Sequence, residues 1–274
     1  MMSYVVFIQV YNESITKAVY ALVDQLLQPY KIIIVDDGTP NTHIQIETDK
    51  LRKEFGSNIL YYQGEYKKKA NLDTVGNSLL GALIWLWSKK DITFDYLSII
   101  DADSHPEPTY YEKLIDAMEE DQDLICTSGD IVVEGKTEKF ISAKVIKRNY
   151  AQGSGKIIRT NFLTKIPINL FPEVTWDTWI NTRAKLAGKK AIQIHGINLH
   201  CSRPTTRLAK MDKFRDGRLS YHFGYNPLLI LYKIIFRGTD VWKGYRDAKK
   251  KKWRLPDESV RKWFGWRYLI HFWK

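Results

Sequence analysis

The feature that most constrains this chain is an alternation of short apolar runs with helix-patterned segments, in which acidic residues follow three of the runs. Tyr4 to Val10 is a continuous apolar run rich in β-branched residues, with Glu13 just past it. Ser14 to Leu27 has helical spacing: Ile15, Val19, Leu22, Val23 and Leu26 share a face, Ser14 stands where an N-cap belongs, and Pro29 lies beyond the end. Lys31 to Val35 is a second strand ending in Asp36-Asp37-Gly38. A helix capped at Asn41 is expected to run to about Phe55, followed by a strand over Asn58 to Gln63. A helix from about Thr74 to Ser88 precedes Tyr96 to Ile100, a strand ending in Asp101-Ala102-Asp103. Apolar strands separated by helices predict a parallel sheet covered on both faces. Ligands of such sheets bind at the carboxyl ends of the strands, where these acids fall. Three acidic strand ends repel an anion unless a divalent cation sits among them, and they also suit hydroxyl and base N–H donors.

Composition adds the setting. A length of 274 residues suits one large domain or two small ones, and 44% hydrophobic with 27% charged residues is ordinary globular material. Cys126 and Cys201 are the two cysteines, so no disulfide framework supports the fold and a reducing compartment is expected. Met1-Met2-Ser3-Tyr4 has no basic stretch ahead of an apolar one, so no signal peptide is expected. No run reaches the ~18 apolar residues of a membrane span; the nearest, Leu228 to Phe236, is interrupted by Lys233. The net charge of +11 is unevenly placed: His200 to Lys274 holds 19 basic and 6 acidic residues, leaving the remainder slightly acidic. The same stretch holds Trp242, Trp253, Trp263, Trp266 and Trp273. Basic residues with interfacial indoles suit an anionic membrane surface, with nucleic acid the weaker partner. The plain structural reading is a helical appendage whose tryptophans pack inward.

Four segments in order carry a resemblance: Val10-Tyr11-Asn12-Glu13, Val35-Asp36-Asp37-Gly38-Thr39, Asp101-Ala102-Asp103, and Trp176 to Gly188. Together, over roughly Tyr4 to Ile194, they resemble inverting glycosyltransferases of family 2. The charge and Trp distribution marks a basic, Trp-rich helical extension over 201–274. The resemblance implies the α/β GT-A fold, a mostly parallel central sheet flanked by helices, and places a glycosyltransferase domain over 1–200, with a nucleotide-sugar half of about 1–105 and an acceptor half of about 106–200. It also implies a UDP- or GDP-sugar donor. Asp103 would bind Mg or Mn, and Asp101 would lie near the ribose or the metal. Asp36, Asp37, Glu13, Val10 and Tyr11 would line the base and ribose.

Inversion at the anomeric carbon needs a carboxylate on the acceptor side to take the hydroxyl proton. By resemblance that base is Asp177, six residues before Arg183. Trp176 departs from the family pattern, standing where an acid usually precedes the base, and Glu173 is a candidate stand-in. Gly153-Ser154-Gly155-Lys156-Ile157-Ile158-Arg159 resembles the family's glycine-containing stretch before the acceptor site; it lacks the spacing of a P-loop. His200, after the strand-like Ala191 to Leu199, is a candidate metal ligand, and Arg218 a candidate counter-charge for the diphosphate. No Gln-x-x-Arg-Trp pattern, typical of processive polysaccharide synthases, is present, which with the absence of an apolar membrane run favours transfer of a single sugar. The expected acceptor is a lipid-linked or cell-surface glycan, and the basic tail leads to the expectation of a cytoplasmic enzyme peripheral to the membrane. Two readings compete. A nucleotidyltransferase would carry a basic Gly-rich loop after the first strand, where Tyr11-Asn12-Glu13 stands instead. A non-catalytic membrane- or nucleic-acid-binding protein would hold a vestigial site.

Overall fold

A computed structural model describes residues 2–64, 75–90, 92–133, 150–172, 174–202 and 213–267. The chain divides into two compact units, Met1–Ile166 with Glu173–Pro204, and Pro167–Pro172 with Thr205–Lys274. The first unit begins β1 (Tyr4–Val10), α1 (Thr16–Val23), β2 (Lys31–Asp36), α2 (His43–Phe55), β3 (Ile59–Gln63), α3 (Val75–Ser88) and β4 (Tyr96–Asp101). It continues with β5 (Ser104–Pro106), α4 (Tyr110–Glu120), β6 (Leu124–Val133), β7 (Lys156–Arg159), a one-turn α5 (Thr160–Leu163), α6 (Trp176–Leu186) and β8 (Lys190–Cys201).

The eight strands form one sheet in the order β3-β2-β1-β4-β7-β6-β8-β5. The first four are parallel, as the sequence pattern predicts. β7 then runs antiparallel to both β4 and β6, and β5 antiparallel to β8. All seven residues of β1 are buried, which is why its sequence is apolar without alternation. Tyr4, Val6 and Ile8 join one core with Ala18, Val19 and Leu22 of α1 and with Tyr110, Leu114, Ile115 and Met118 of α4. Their neighbours Val5, Phe7 and Ile33 are equally buried on the opposite side, and α3 contacts β1 and β2.

α1 differs from its sequence pattern at both ends. It stops at Val23 with Asp24 as C-cap, and Leu26, expected on the buried face, is exposed with its N–H donating to Pro108 O. At the start, Ile15 occupies the N-cap position, and the cap comes from another helix. Glu47 of α2 accepts from Ser14 Oγ (2.5 Å), Ile15 N (3.2 Å), Thr16 N (3.0 Å) and Thr16 Oγ1. A carboxylate on the positive end of a helix dipole is a favourable substitute for a local cap.

The second unit holds α7 (Lys213–His222), α8 (Pro227–Arg237), α9 (Asp240–Lys250) and α10 (Glu258–Lys262), which runs into one π-helical turn at Trp263–Arg267. α8 is well delimited: Asn226 Oδ1 accepts from Leu228 N at 2.8 Å, Pro227 opens the helix, and Gly238 (φ 103°) ends it. Trp253 stacks on His222 at 4.2 Å, so this indole packs inside the unit, whereas Trp242 is exposed. Among the described residues no helix is long and apolar enough to cross a membrane.

Candidate active site

The parallel strands bring their carboxyl ends to one rim. Val10 pairs with Asp36 across β1 and β2, and Gln9 with Asp101 across β1 and β4. The loops beyond are sewn together by backbone: Asp37 N donates to Val10 O (2.9 Å), Ala102 N to Gln9 O (3.0 Å), and Asn12 N to Thr39 Oγ1 (3.0 Å). Asn12 adopts the left-handed conformation at φ 55°, a turn that Asn tolerates better than most residues. Tyr11 is exposed and Glu13 half-buried beside it.

Asp36 is only 1% exposed, and both its oxygens are engaged. Oδ1 accepts from Thr39 N (2.8 Å) and Oδ2 from the Tyr61 hydroxyl (2.8 Å). Burial, followed by that hydrogen bond and the carboxylate charge, holds the Tyr61 hydroxyl firmly protonated as the donor. Asp36 thus shapes the turn that presents Asp37. Tyr61 had no signal in the sequence beyond lying in a strand.

The Gly153-Ser154-Gly155 turn is the junction of the site. Ser154 Oγ accepts from Asp101 N (3.1 Å) and lies 2.9 Å from Ser104 Oγ. Gly155 donates from N to Ile99 O (2.9 Å) and accepts at O from the Tyr110 hydroxyl (2.9 Å). A methyl group on Gly153 would stand 3.6 Å from Asp177 Oδ2. One turn therefore bonds to the Asp101 strand end on one side and faces the Asp177 carboxylate on the other, with room between them for no more than a methyl group. Antiparallel β7 makes this possible, since the loop before an antiparallel strand lies at the rim where its parallel neighbours end.

Asp177 sits in the first turn of α6, where a carboxylate opposes the helix dipole favourably. Behind it lies Lys156, fully buried in a strand of sequence Lys-Ile-Ile-Arg. Its Nζ donates to the main-chain oxygen of Asp177 at 2.8 Å and lies 5.3 Å from the centre of the Trp176 ring. Burial lowers the ammonium pKa, partly countered by Cys126 and Asp177. Trp176, where the family pattern has an acid, is one wall of this lysine's compartment. A lysine inside an apolar strand was the signal available for this residue. Glu173 lies outside the described residues.

Asp103 and His200 fall on one face of the sheet. Ser104 pairs with Cys201 and His105 with His200, which sets Asp103 beside Ser202, whose N–H donates to Asp103 O at 3.0 Å. His200 lies inside β8, where the sequence pattern ended the strand at Leu199. Its Nε2 is 3.4 Å from Glu107 Oε1, and Asn198 Nδ2 donates to the same oxygen. Burial opposes ionisation of Glu107, but the bonds from Asn198 and His200 outweigh it and bring its carboxyl below the usual range.

Among the described residues no three His, Cys, Asp or Glu side chains form a preset metal cage, so His200 is not gathered with Asp101 and Asp103 into one. The donor set nonetheless fits Mg or Mn, which are held by one or two carboxylates completed by substrate phosphates and water. Arg218, expected over the diphosphate, is buried in α7 of the second unit. There its Nε is 3.2 Å from Asp247 Oδ2 and its guanidinium 5.4 Å from the Trp253 ring centre.

The fold and this acidic rim define a GT-A-type α/β protein. Two solved structures illustrate the likeness, each covering 80% of this chain. S. aureus TarS 1–349 superposes with a TM-score of 0.56 at 16% identity and is 64% covered. The mannosyltransferase PcManGT from Pyrobaculum calidifontis, solved with GDP-Man and Mn2+, superposes at 0.56 with 15% identity and is 62% covered. TarS 1–349 has also been solved with UDP-GlcNAc. The chain thus spans somewhat less than two thirds of either relative. No curated protein sequence matches it. The family model described as glycosyl transferase family 2 matches residues 5–215, and the chain belongs to that family.

Proposed function

We propose that this chain transfers a single sugar from a nucleotide-sugar donor to a hydroxyl acceptor, with inversion, in a metal-dependent in-line displacement. The observation that carries the reading is the Gly153-Ser154 turn, which is hydrogen-bonded to the Asp101 strand end and lies beside the Asp177 carboxylate, 3.6 Å from where a methyl group on Gly153 would stand. The nucleotides in the TarS and PcManGT structures support a UDP- or GDP-sugar as donor, and the Mn2+ of the latter supports a divalent ion.

Tyr11, Glu13 and Asp37 bind base and ribose, with Val10 and Asp36 buried beneath them as the frame. A divalent ion held by Asp103 with Asp101 would neutralise charge on the departing diphosphate. Asp177 takes the proton of the acceptor hydroxyl while Lys156 fixes its main chain from behind. Glu107 and Asn198 hold His200 at the edge of the metal face, and Arg218 braces the second unit. The acceptor is a lipid-linked or cell-surface glycan. The enzyme works in the cytoplasm as a peripheral membrane protein, a reading supported by the basic C-terminal region.

Binding of UDP-, GDP- and dTDP-sugars measured calorimetrically with and without Mn2+ tests this. One donor should bind in a metal-dependent way, and Asp103→Ala should abolish that binding. Asp177→Asn should keep donor binding while lowering transfer or donor hydrolysis about a thousandfold. Absence of binding by every sugar nucleotide with metal present refutes the reading.

A further inference from the structure

In a soluble helix the apolar stripe faces the core and the charges face water. In α8 this order is reversed. Leu228, Leu231, Tyr232, Ile235 and Phe236 recur at i, i+3, i+4, i+7 and i+8, and all are exposed, Ile235 by 67% and Phe236 by 70%. At 3.6 residues per turn they cover an arc of roughly 140°. The inward side carries the polar anchors: Lys233 Nζ donates to Asp216 Oδ1 at 2.6 Å and Arg237 Nη1 to Asp216 Oδ2 at 2.8 Å, with Ile230 buried beside them. Burial lowers the Lys233 pKa, and the Asp216 carboxylate opposes the change. The helix is therefore pinned by an ionic clasp on the buried Asp216, with Lys233 mostly covered and Arg237 half exposed, which fixes the apolar arc outward.

The apolar surface continues into a cavity of about 520 Å3 lined by Ile230, Leu231, Ile234, Trp242, Tyr245 and Lys249, among others. Around it the charge is one-sided. Lys243, Arg246, Lys249, Lys250, Lys251 and Lys252 of α9 and its end are exposed. Among the described residues each acid of this unit has a partner: Asp216 in the clasp, Asp240 with Lys243, Asp247 with Arg218 and Lys251, Glu258 with Arg261, and Asp257 capping α10.

We infer that the outward face of α8, with the cavity beside Trp242, seats on the surface of an anionic lipid bilayer. An apolar arc bordered by lysines matches the boundary between acyl chains and negative headgroups. A second copy is a poor occupant, because two strongly basic surfaces would be brought together. Nucleic acid offers phosphates but nothing for exposed Leu, Ile and Phe. This rests on the peripheral-membrane reading above and assigns it to one helix face.

The test is flotation of the full chain with vesicles of phosphatidylcholine, with and without phosphatidylglycerol, comparing wild type with Leu231→Ser/Ile235→Ser/Phe236→Ser. All three positions are exposed, so thermal melting should be unchanged. Wild type should float with the anionic vesicles only, and the triple variant should lose affinity ~tenfold or more. If the variant floats like wild type, the α8 assignment falls while the membrane reading stands. If wild type binds neither vesicle, both fall. If light scattering shows a lipid-free dimer that the triple variant abolishes, the face belongs to a second copy and the inference is overturned.

Discussion

Gly155 is the position at which a single methyl group should test whether the Gly153-Ser154-Gly155 turn is as tightly built as its contacts imply. Its φ of 71° lies in the left-handed region, where a side chain costs on the order of 1–3 kcal/mol. A Cβ there would lie 2.3 Å from the Tyr110 hydroxyl oxygen and 2.7 Å from Leu199 Cδ2. Tyr110 is fully buried and cannot retreat into solvent. Moving it breaks two hydrogen bonds, the one it donates to Gly155 O and the one it accepts from Gly129 N at 3.0 Å, worth about 1 kcal/mol each. Gly155→Ala should therefore lose about 3–5 kcal/mol, a large part of the stability of an ordinary domain. Urea unfolding followed by tryptophan fluorescence measures this as a shift in midpoint at constant slope. Gly153→Ala is the internal control: its methyl meets Asp177 at 3.6–3.9 Å, ordinary contact distance, so the fold should hold while transfer falls. If Gly155→Ala lies within about 1 kcal/mol of wild type, the turn is not braced by Tyr110 and the reasoning fails.

Three further outcomes are expected. Ser154→Ala removes the acceptor for Asp101 N–H, and should raise the donor KM about fivefold, the equivalent of one hydrogen bond, with melting nearly unchanged. Glu47→Ala leaves the donors of Ser14 to Thr16 without their carboxylate; a loss of about 2 kcal/mol and weaker donor binding through the adjoining Tyr11–Glu13 loop are expected, whereas Glu47→Gln should recover most of both. In the second unit, burial and then the nearby Arg261 charge push His222 down to about 3 from 6.5, and neither ring nitrogen finds a hydrogen-bond partner among the described residues. The unfolded chain therefore binds this proton more readily, so stability is full above pH 6.5 and is lost as pH falls toward 3. Between pH 7 and 5 the loss should be about 2 kcal/mol. His222→Phe, which keeps a ring against Trp253, should flatten that dependence, and an equal slope in wild type and variant would refute the assignment.

The parallel half of the sheet was legible chiefly because β1, β2 and β4 are buried on both faces and write nearly unbroken apolar runs, whereas β3 at the sheet edge is only partly buried. Tyr4–Val10 came out residue for residue, and Lys31–Asp36 and Tyr96–Asp101 to within one residue. The acids at their ends were legible for the same reason, as polar residues stand out against such runs. What depends on distant partners was not legible. Ser14 looked like a cap because nothing local announces Glu47, some thirty residues on. Asp36 was legible as an acid at a strand end, but not its bond from the Tyr61 hydroxyl, which arrives from another strand. Arg218 showed charge but not its burial against Asp247, and the apolar run in α8 showed its composition but not that the clasp on Asp216 turns it outward.

The place of β7 in the sheet has a consequence for how this enzyme is made. Ser154 meets Asp101 across 53 residues of chain, and β7 pairs on both sides, with β4 and with β6. During synthesis β4 emerges long before the strand that will cover its edge. An uncovered parallel strand of that length invites pairing with other chains. The segment up to about residue 105 is thus no independent module, and a fragment ending there would present β4 as a bare edge. Insertion of β7 both protects that edge and carries the Ser154 turn to the rim, so the rim is completed only with closure of the sheet. A ligand that binds only the closed state would then draw folding to completion by mass action.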